Sequence, residues 1–173
     1  LLQASLHRIF DLLTLNHTDY KKDMDTKNER KKCMTYQATD IAKYIINKCT
    51  IEKHAISNLQ LQEILYYIQK KFLEIELKAF EDDFEAWPSG PVIPEVYYIY
   101  CGFGALDIRM KYDIHLDSNY IAIIDPTIEQ KRLLNPLDMI ADICVPGKAW
   151  CQIYDKSRGN HCMIPKESIK DMG

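Results

Sequence analysis

The sequence predicts a mostly α-helical domain with a small β element (α+β), a compact single helical domain built round a long central helix. Three observations carry this. Apolar residues recur at helical spacing over 39–48 and again over 58–79. Asp125-Pro126 and Asn135-Pro136 each pair an N-cap residue with proline at the first helical position. Between these stretches, residues 84–97 hold a tryptophan, a glycine and three prolines. A plain helical bundle has no need of so many backbone-restricted residues in one place.

The elements follow in order. Leu2, Leu6, Ile9, Leu12 and Leu13 give residues 1–15 an amphipathic helical pattern. Residues 19–32 are polar, charged and without period, which reads as a linker. The chain is therefore expected to divide into 1–33 and a globular domain over 34–173. Residues 1–33 read either as an N-terminal extension or as translated leader, because Glu29-Arg30-Lys31-Lys32 before Met34 can be encoded by a purine-rich, ribosome-binding-like stretch. Ile41, Ala42, Tyr44, Ile45 and Ile46 mark a helix that Thr39 or Asp40 can cap. Ser57 or Asn58 caps the next, with Leu61, Ile64, Leu65, Ile68, Phe72, Leu73 and Ile75 on its apolar face. Gln62, Glu63, Gln69, Lys70 and Lys71 are placed mostly outward.

Residues 80–87 alternate loosely and suggest a short strand, which Pro88 keeps extended at Trp87. Gly90-Pro91 is expected to turn, and Pro94 to open a helix that stops at Gly102 and Gly104. Residues 106–116 are ambiguous in pattern and leave room for a second short strand, making a small sheet with the first. Helices are then expected from Pro126, carrying Ile128, Leu133 and Leu134, and from Pro136, carrying Leu137, Ile140, Ala141 and Ile143. Residues 145–150 form a turn ending on Trp150, and Ile164-Pro165 starts a last short helix.

The totals exclude several classes. A net charge of −3 lacks the basic footprint of a general nucleic-acid binder. No apolar run approaches the roughly 20 residues that span a bilayer, and no secretory signal opens the chain. A cytoplasmic location follows as the expectation. Six cysteines are scattered without a close pair, which predicts reduced thiols. Cys144, Cys151, Cys162 and His161 lack the tight knuckle of structural zinc sites, so no metal or other cofactor is expected. Nucleophile-elbow, phosphate-loop, metalloprotease and dinucleotide motifs are missing. Cys151 with His161 carries no local nucleophile signature. No enzyme is expected.

Two motifs carry a resemblance. Leu59-Gln60-Leu61-Gln62-Glu63-Ile64-Leu65-Tyr66-Tyr67 is followed by Phe84-Glu85-Ala86-Trp87-Pro88-Ser89-Gly90-Pro91-Val92-Ile93-Pro94-Glu95-Val96-Tyr97. In this order and separation they resemble the Panacea family, the SocA-like, phage-associated antitoxin domain. The resemblance extends over roughly 36–169, through the helix at 38–46, Trp150 and Ile164-Pro165. The chain departs from the family where Ile143-Cys144 stands in place of Thr-His, so no role of that histidine carries over. The last helix is also unusually short.

The resemblance implies a bacterial antitoxin that binds and neutralises a cognate protein toxin encoded beside it, with phage defence as the setting. It also implies an alternative, a proteolytic adaptor delivering the toxin to an ATP-dependent protease. A phage-associated nucleic-acid-binding or regulatory protein, using Lys21, Lys22, Lys27, Arg30, Lys31 and Lys32 as a basic arm, is the alternative from another class. The candidate site residues are Gln60, Gln62, Tyr66, Tyr67, Glu85, Trp87, Ser89, Gly90, Pro91, Val92, Ile93, Pro94, Glu95 and Tyr97. Two uses of the motif stand open. In one, Trp87 and Tyr97 each bury a ring in the core for about 1.5–3 kcal/mol, Gly90 allows a close approach, and Pro91 and Pro94 stiffen the turn. In the other, a rigid loop presents Ser89, Val92, Ile93 and Glu95 to a partner. Tyr66 and Tyr67 point about 100° apart on a helix, so one is expected in the core and the other at the surface. Gln60 and Gln62 fit either partner contact or structural hydrogen bonds. The acidic group Glu81, Asp82, Asp83 and Glu85 reads as a solvated face that can meet a basic toxin surface.

Overall fold

The computed structural model describes residues 36–154 and 158–172. The expectations for 1–33 lie outside the described residues. Helix α1 spans Ala38–Ile51 and buries Ile41, Ala42, Ile45, Ile46 and Cys49. Neither Thr39 nor Asp40 caps it. Its first residue, Ala38, donates its N–H to Asp82 Oδ2 at 2.9 Å, so a carboxylate 44 positions away does the capping.

Helix α2, Asn58–Glu74, begins in a capping box. Ser57 Oγ accepts from the Gln60 N–H, and Gln60 Oε1 accepts from the Ser57 N–H at 3.2 Å. The helix ends at Glu74 rather than at 79. Glu76 takes φ 59°, and the Glu76 and Leu77 N–H groups turn back to the Leu73 and Phe72 carbonyls. This is a Schellman stop without its usual glycine, a local choice that apolar periodicity cannot reveal. Helices packed on α2 bury it on most sides, leaving Leu61, Ile64, Leu65, Tyr66 and Ile68 essentially inaccessible.

Strand β1 spans Phe84–Trp87, with Phe84 and Ala86 inward and Glu85 and Trp87 outward. Strand β2 is Gly90–Val92, so Gly90-Pro91 is strand and the turn falls on Pro88-Ser89. Pro91 has no N–H to offer, which suits a strand at the sheet edge. The other neighbour of β1 is β3, Cys162–Ile164, giving the antiparallel order β2-β1-β3. The expected strand in 106–116 does not form. Those residues make a loop anchored by the Ile108 N–H on the Ile56 carbonyl at 2.8 Å.

Helix α3, Pro94–Tyr100, starts on proline as expected and passes through one 3₁₀ turn, Cys101–Phe103, to stop at Gly104 with φ 56°. Helix α4 runs Ser118–Lys131, capped by Asp117, so Asp125-Pro126 is not a helix start. Pro126 sits inside it on its exposed side, where it gives up one helical N–H donor next to solvent. Asp125 instead accepts from the Tyr44 hydroxyl at 2.9 Å and pairs with Lys48. Leu133 and Leu134 lie beyond the helix, exposed. Helix α5, Pro136–Ile143, is capped by Asn135 as expected, and α6, Ala149–Ile153, and α7, Lys166–Met172, complete the described chain. Elements α1, α3, α4, α5, α7 and β2 all pack against α2.

Candidate functional site: a clamped hairpin and its aromatic face

Of the polar residues placed outward on α2, Lys71 is exposed and Lys70 half-exposed, but three are not. Gln62, Glu63 and Gln69 are 1%, 0% and 0% exposed, which corrects the sequence reading. Two of them hold loops by their backbones. Gln69 accepts from the Ala79 N–H at 2.9 Å and donates to the Phe80 carbonyl at 3.0 Å. Gln62 accepts from the Ile93 N–H at 2.9 Å, and its amide reaches Asn58 Oδ1 at 3.5 Å. Asn58 in turn donates to the Tyr97 carbonyl at 3.2 Å. Buried amides of this kind satisfy backbone groups that would otherwise be costly to hide. Gln60, in the capping box, also donates to the Leu134 carbonyl at 3.2 Å.

Tyr66 is fully buried, its ring edge-on to Phe84 with centroids 5.4 Å apart. Tyr67 is half-buried, donates its hydroxyl to Asp142 and carries Lys131 Nζ 3.4 Å from its ring centroid. Glu63 has neither carboxylate oxygen hydrogen-bonded among the described residues. Burial pushes its carboxyl up to about 8, against a smaller opposing pull from Lys131. Above it lies Gly90, with φ 115°. A Cβ at that position would stand 2.8 Å from Glu63 Oε1, so both the backbone shape and the close approach require glycine.

On the hairpin the two uses of the motif exchange residues. Val92 and Ile93, expected on a presented loop, are each 1% exposed, and Pro91 is buried beside them. The inward side of β2 faces α2, and the Gln62 bond draws Ile93 in with it. Trp87 and Tyr97, expected in the core, are half-buried: β1 turns Trp87 outward with its odd-numbered residues, and Tyr97 of α3 packs against it there. Ser89 at the turn and Glu95 in the first turn of α3 are exposed, and Pro94 is half-buried.

Trp87 gathers an aromatic cluster. Its ring centroid lies 4.9 Å from Tyr97, 6.1 Å from Tyr98 and 4.5 Å from His161, while Tyr97 and Tyr98 stand 5.6 Å apart. Tyr98 is 64% exposed. Three ties fix the cluster. Trp87 Nε1 donates to Glu85 Oε2 at 2.8 Å, and the same oxygen lies 3.2 Å from His161 Nδ1. Trp150 Nε1 donates to the Trp87 carbonyl at 3.0 Å, linking α6 to the hairpin. The Asn58 bond holds the backbone at Tyr97. Beside the cluster lies a groove of about 240 Å³, walled by Asn58, Leu59, Ser89, Val92, Tyr97 and Cys101.

A fixed group of amphipathic rings beside carboxylates is suited to holding a protein surface, since tyrosine and tryptophan supply apolar area together with a polar tip. Among the described residues, no three His, Cys, Asp or Glu side chains are placed to hold a metal ion, and no helix is long and apolar enough to cross a membrane. Sequence reasoning missed Tyr98 and His161 as members of the face and Glu63 as a buried group. The Tyr97-Tyr98 doublet held a signal, because adjacent helical residues diverge and one ring must turn outward. Nothing near His161 links it to residue 87, since only the β1–β3 pairing brings them together.

Residues 61–140 match the family model described as antitoxin SocA-like, Panacea domain. Neither a curated protein nor a solved structure matches the chain. The matched residues take in Gln62, Glu63, the β1–β2 hairpin and α3, which together build the site; the helix at 38–46, Trp150 and Ile164-Pro165 lie outside them. Over residues 61–140 the chain is therefore similar to the SocA-like Panacea domain, the family its motifs resemble.

Proposed function

We propose that this chain is the antitoxin of a toxin–antitoxin pair and neutralises a protein toxin encoded beside it by direct binding, not by catalysis. The family match supports an antitoxin role. One observation supports the means: the family's central motif fixes an aromatic face, Trp87, Tyr97 and Tyr98, that the core does not use up. Solvent-facing rings held by side-chain and backbone hydrogen bonds lose little freedom on binding, and preorganised aromatic anchors dominate many interfaces. Ser89 and Glu95, exposed at the rim, supply polar contacts.

Calorimetric titration of the purified chain with the neighbouring gene product tests this. Tyr98→Ala is expected to weaken binding at least about tenfold, the equivalent of about 1.4 kcal/mol. The melting temperature should stay close to wild type, because the Tyr98 ring is mostly in water. Binding unchanged in Tyr98→Ala and in Trp87→Ala would move the interface elsewhere.

A further inference from the structure

Glu63 is a carboxyl that neither the fold nor the proposed binding face uses in an obvious way. It is wholly inaccessible, its two oxygens lack hydrogen-bond partners among the described residues, and it sits under the one glycine of the family motif. Its surroundings are unsuited to a charge. Tyr66 is buried next to it with a hydroxyl that has no hydrogen-bond partner among the described residues, and Cys144, just past the end of α5, has its thiol pushed up to about 12 by burial and then by Glu63. Tyr67 on the same helix and Lys131 from α4 are the remaining titratable groups facing it. Lys131 is the one cation among them, and its ammonium is engaged over the Tyr67 ring.

We propose that Glu63 is the positioning residue of the β1–β2 hairpin: as a neutral acid it lets Gly90 seat against α2, and on ionising it drives the hairpin off that seat. Glu63 Oε1 lies 2.8 Å from the point where a Cβ on Gly90 would stand, so no side chain separates the carboxyl from the hairpin backbone. A neutral carboxyl is buried at modest cost, whereas an ionised one without partners draws in water or moves away. Gly90 pairs with Trp87 across the turn, so movement of Gly90 carries Trp87 and Ser89 with it. The binding-competent face is thereby tied to one proton. This consequence rests on the aromatic face being the toxin-binding surface, but the movement itself belongs to the free chain.

The test is a pH series of amide spectra on the free protein, residues 1–173, followed at Trp87, Ser89 and Gly90 from pH 5.5 to about 9.5, a range chosen to bracket the shifted carboxyl. Wild type is expected to show these amides shifting together, with a common midpoint on the alkaline side of neutrality. Glu63→Gln should hold the low-pH positions throughout. Lys131→Met, which removes the facing cation and leaves Glu63 in place, should move the midpoint to higher pH. A transition that persists in Glu63→Gln, a midpoint unmoved in Lys131→Met, or wild-type hairpin amides that do not titrate would each overturn the proposal. Because no toxin enters the experiment, a failed binding face and a failed latch remain distinguishable.

Discussion

Single residues carry the construction of this site. Gln62 and Gln69 lie inside because they share the row 62, 66, 69, 73 on α2 with Tyr66 and Leu73, and that row faces the hairpin and its approach, while Glu63 lies inside under Gly90. The row was legible as spacing, yet the polarity of its side chains pointed outward. What decided the matter was the need of loop backbone at Ala79, Phe80 and Ile93 for partners, which no periodicity encodes. Gln62→Leu leaves the Ile93 N–H buried and unpaired and should cost about 1–3 kcal/mol, read as a lower urea midpoint. Gly90→Ala should cost a similar amount, on the order of 1–3 kcal/mol, from its positive φ and the Glu63 contact. Glu63 gives stability a definite pH dependence. Between its ordinary 4.5 and about 8 the folded chain keeps a proton that the unfolded chain has released, so this group makes stability fall as pH rises through that window. At pH 7 the cost is on the order of 3 kcal/mol. Glu63→Gln should therefore match wild type near the acid end of the window and exceed it at neutral pH in urea titrations.

At the scale of elements, helices α1 and α4 are joined by charge as well as by packing. Lys48, only 11% exposed, pairs with Glu52, Asp125 and Glu129 at 2.9–3.1 Å, and Arg132 pairs with Glu52. Burial opposes the Lys48 charge, but the three carboxylates overcome it and raise its pKa. Lys48→Met strips the common cation and should lower stability by about 1–2 kcal/mol, with the loss shrinking in high salt. Pro126 is the other element-level oddity. The Asp-Pro signal that marks a helix start is real chemistry, but here the same aspartate is taken by Tyr44 and Lys48, and Asp117 caps the helix earlier. Pro126→Ala restores a donor at an exposed interior position and should raise stability by about 1–3 kcal/mol in thermal melts. The Asn135-Pro136 start forms as read, with the Asn135 side chain accepting from the Leu137 N–H. The sheet was legible only in part, since β1 alternates in sequence whereas β3, 75 or more positions away, pairs through contacts that local pattern does not hold.

At the scale of the whole molecule, the motif residues divide between two sides of one hairpin. The buried half, Gln62, Glu63, Gly90, Val92 and Ile93, docks the hairpin on α2, and the outer half, Trp87 with Tyr97 and Tyr98, stays at the surface as the proposed binding face. Trp87→Ala is thus expected to leave the fold standing, unlike the removal of a core ring such as Tyr66 or Phe84, which should cost about 3–5 kcal/mol. The most direct measurement is growth rescue in bacteria that express the neighbouring gene under one inducer and residues 1–173 under another, with toxin level followed in the same cultures. The account predicts rescue by wild type with toxin protein still present, and loss of rescue by a Trp87→Ala, Tyr98→Ala double variant that accumulates and melts as a folded protein. A toxic neighbour that the wild-type chain does not rescue, or full rescue by the folded double variant, would contradict it.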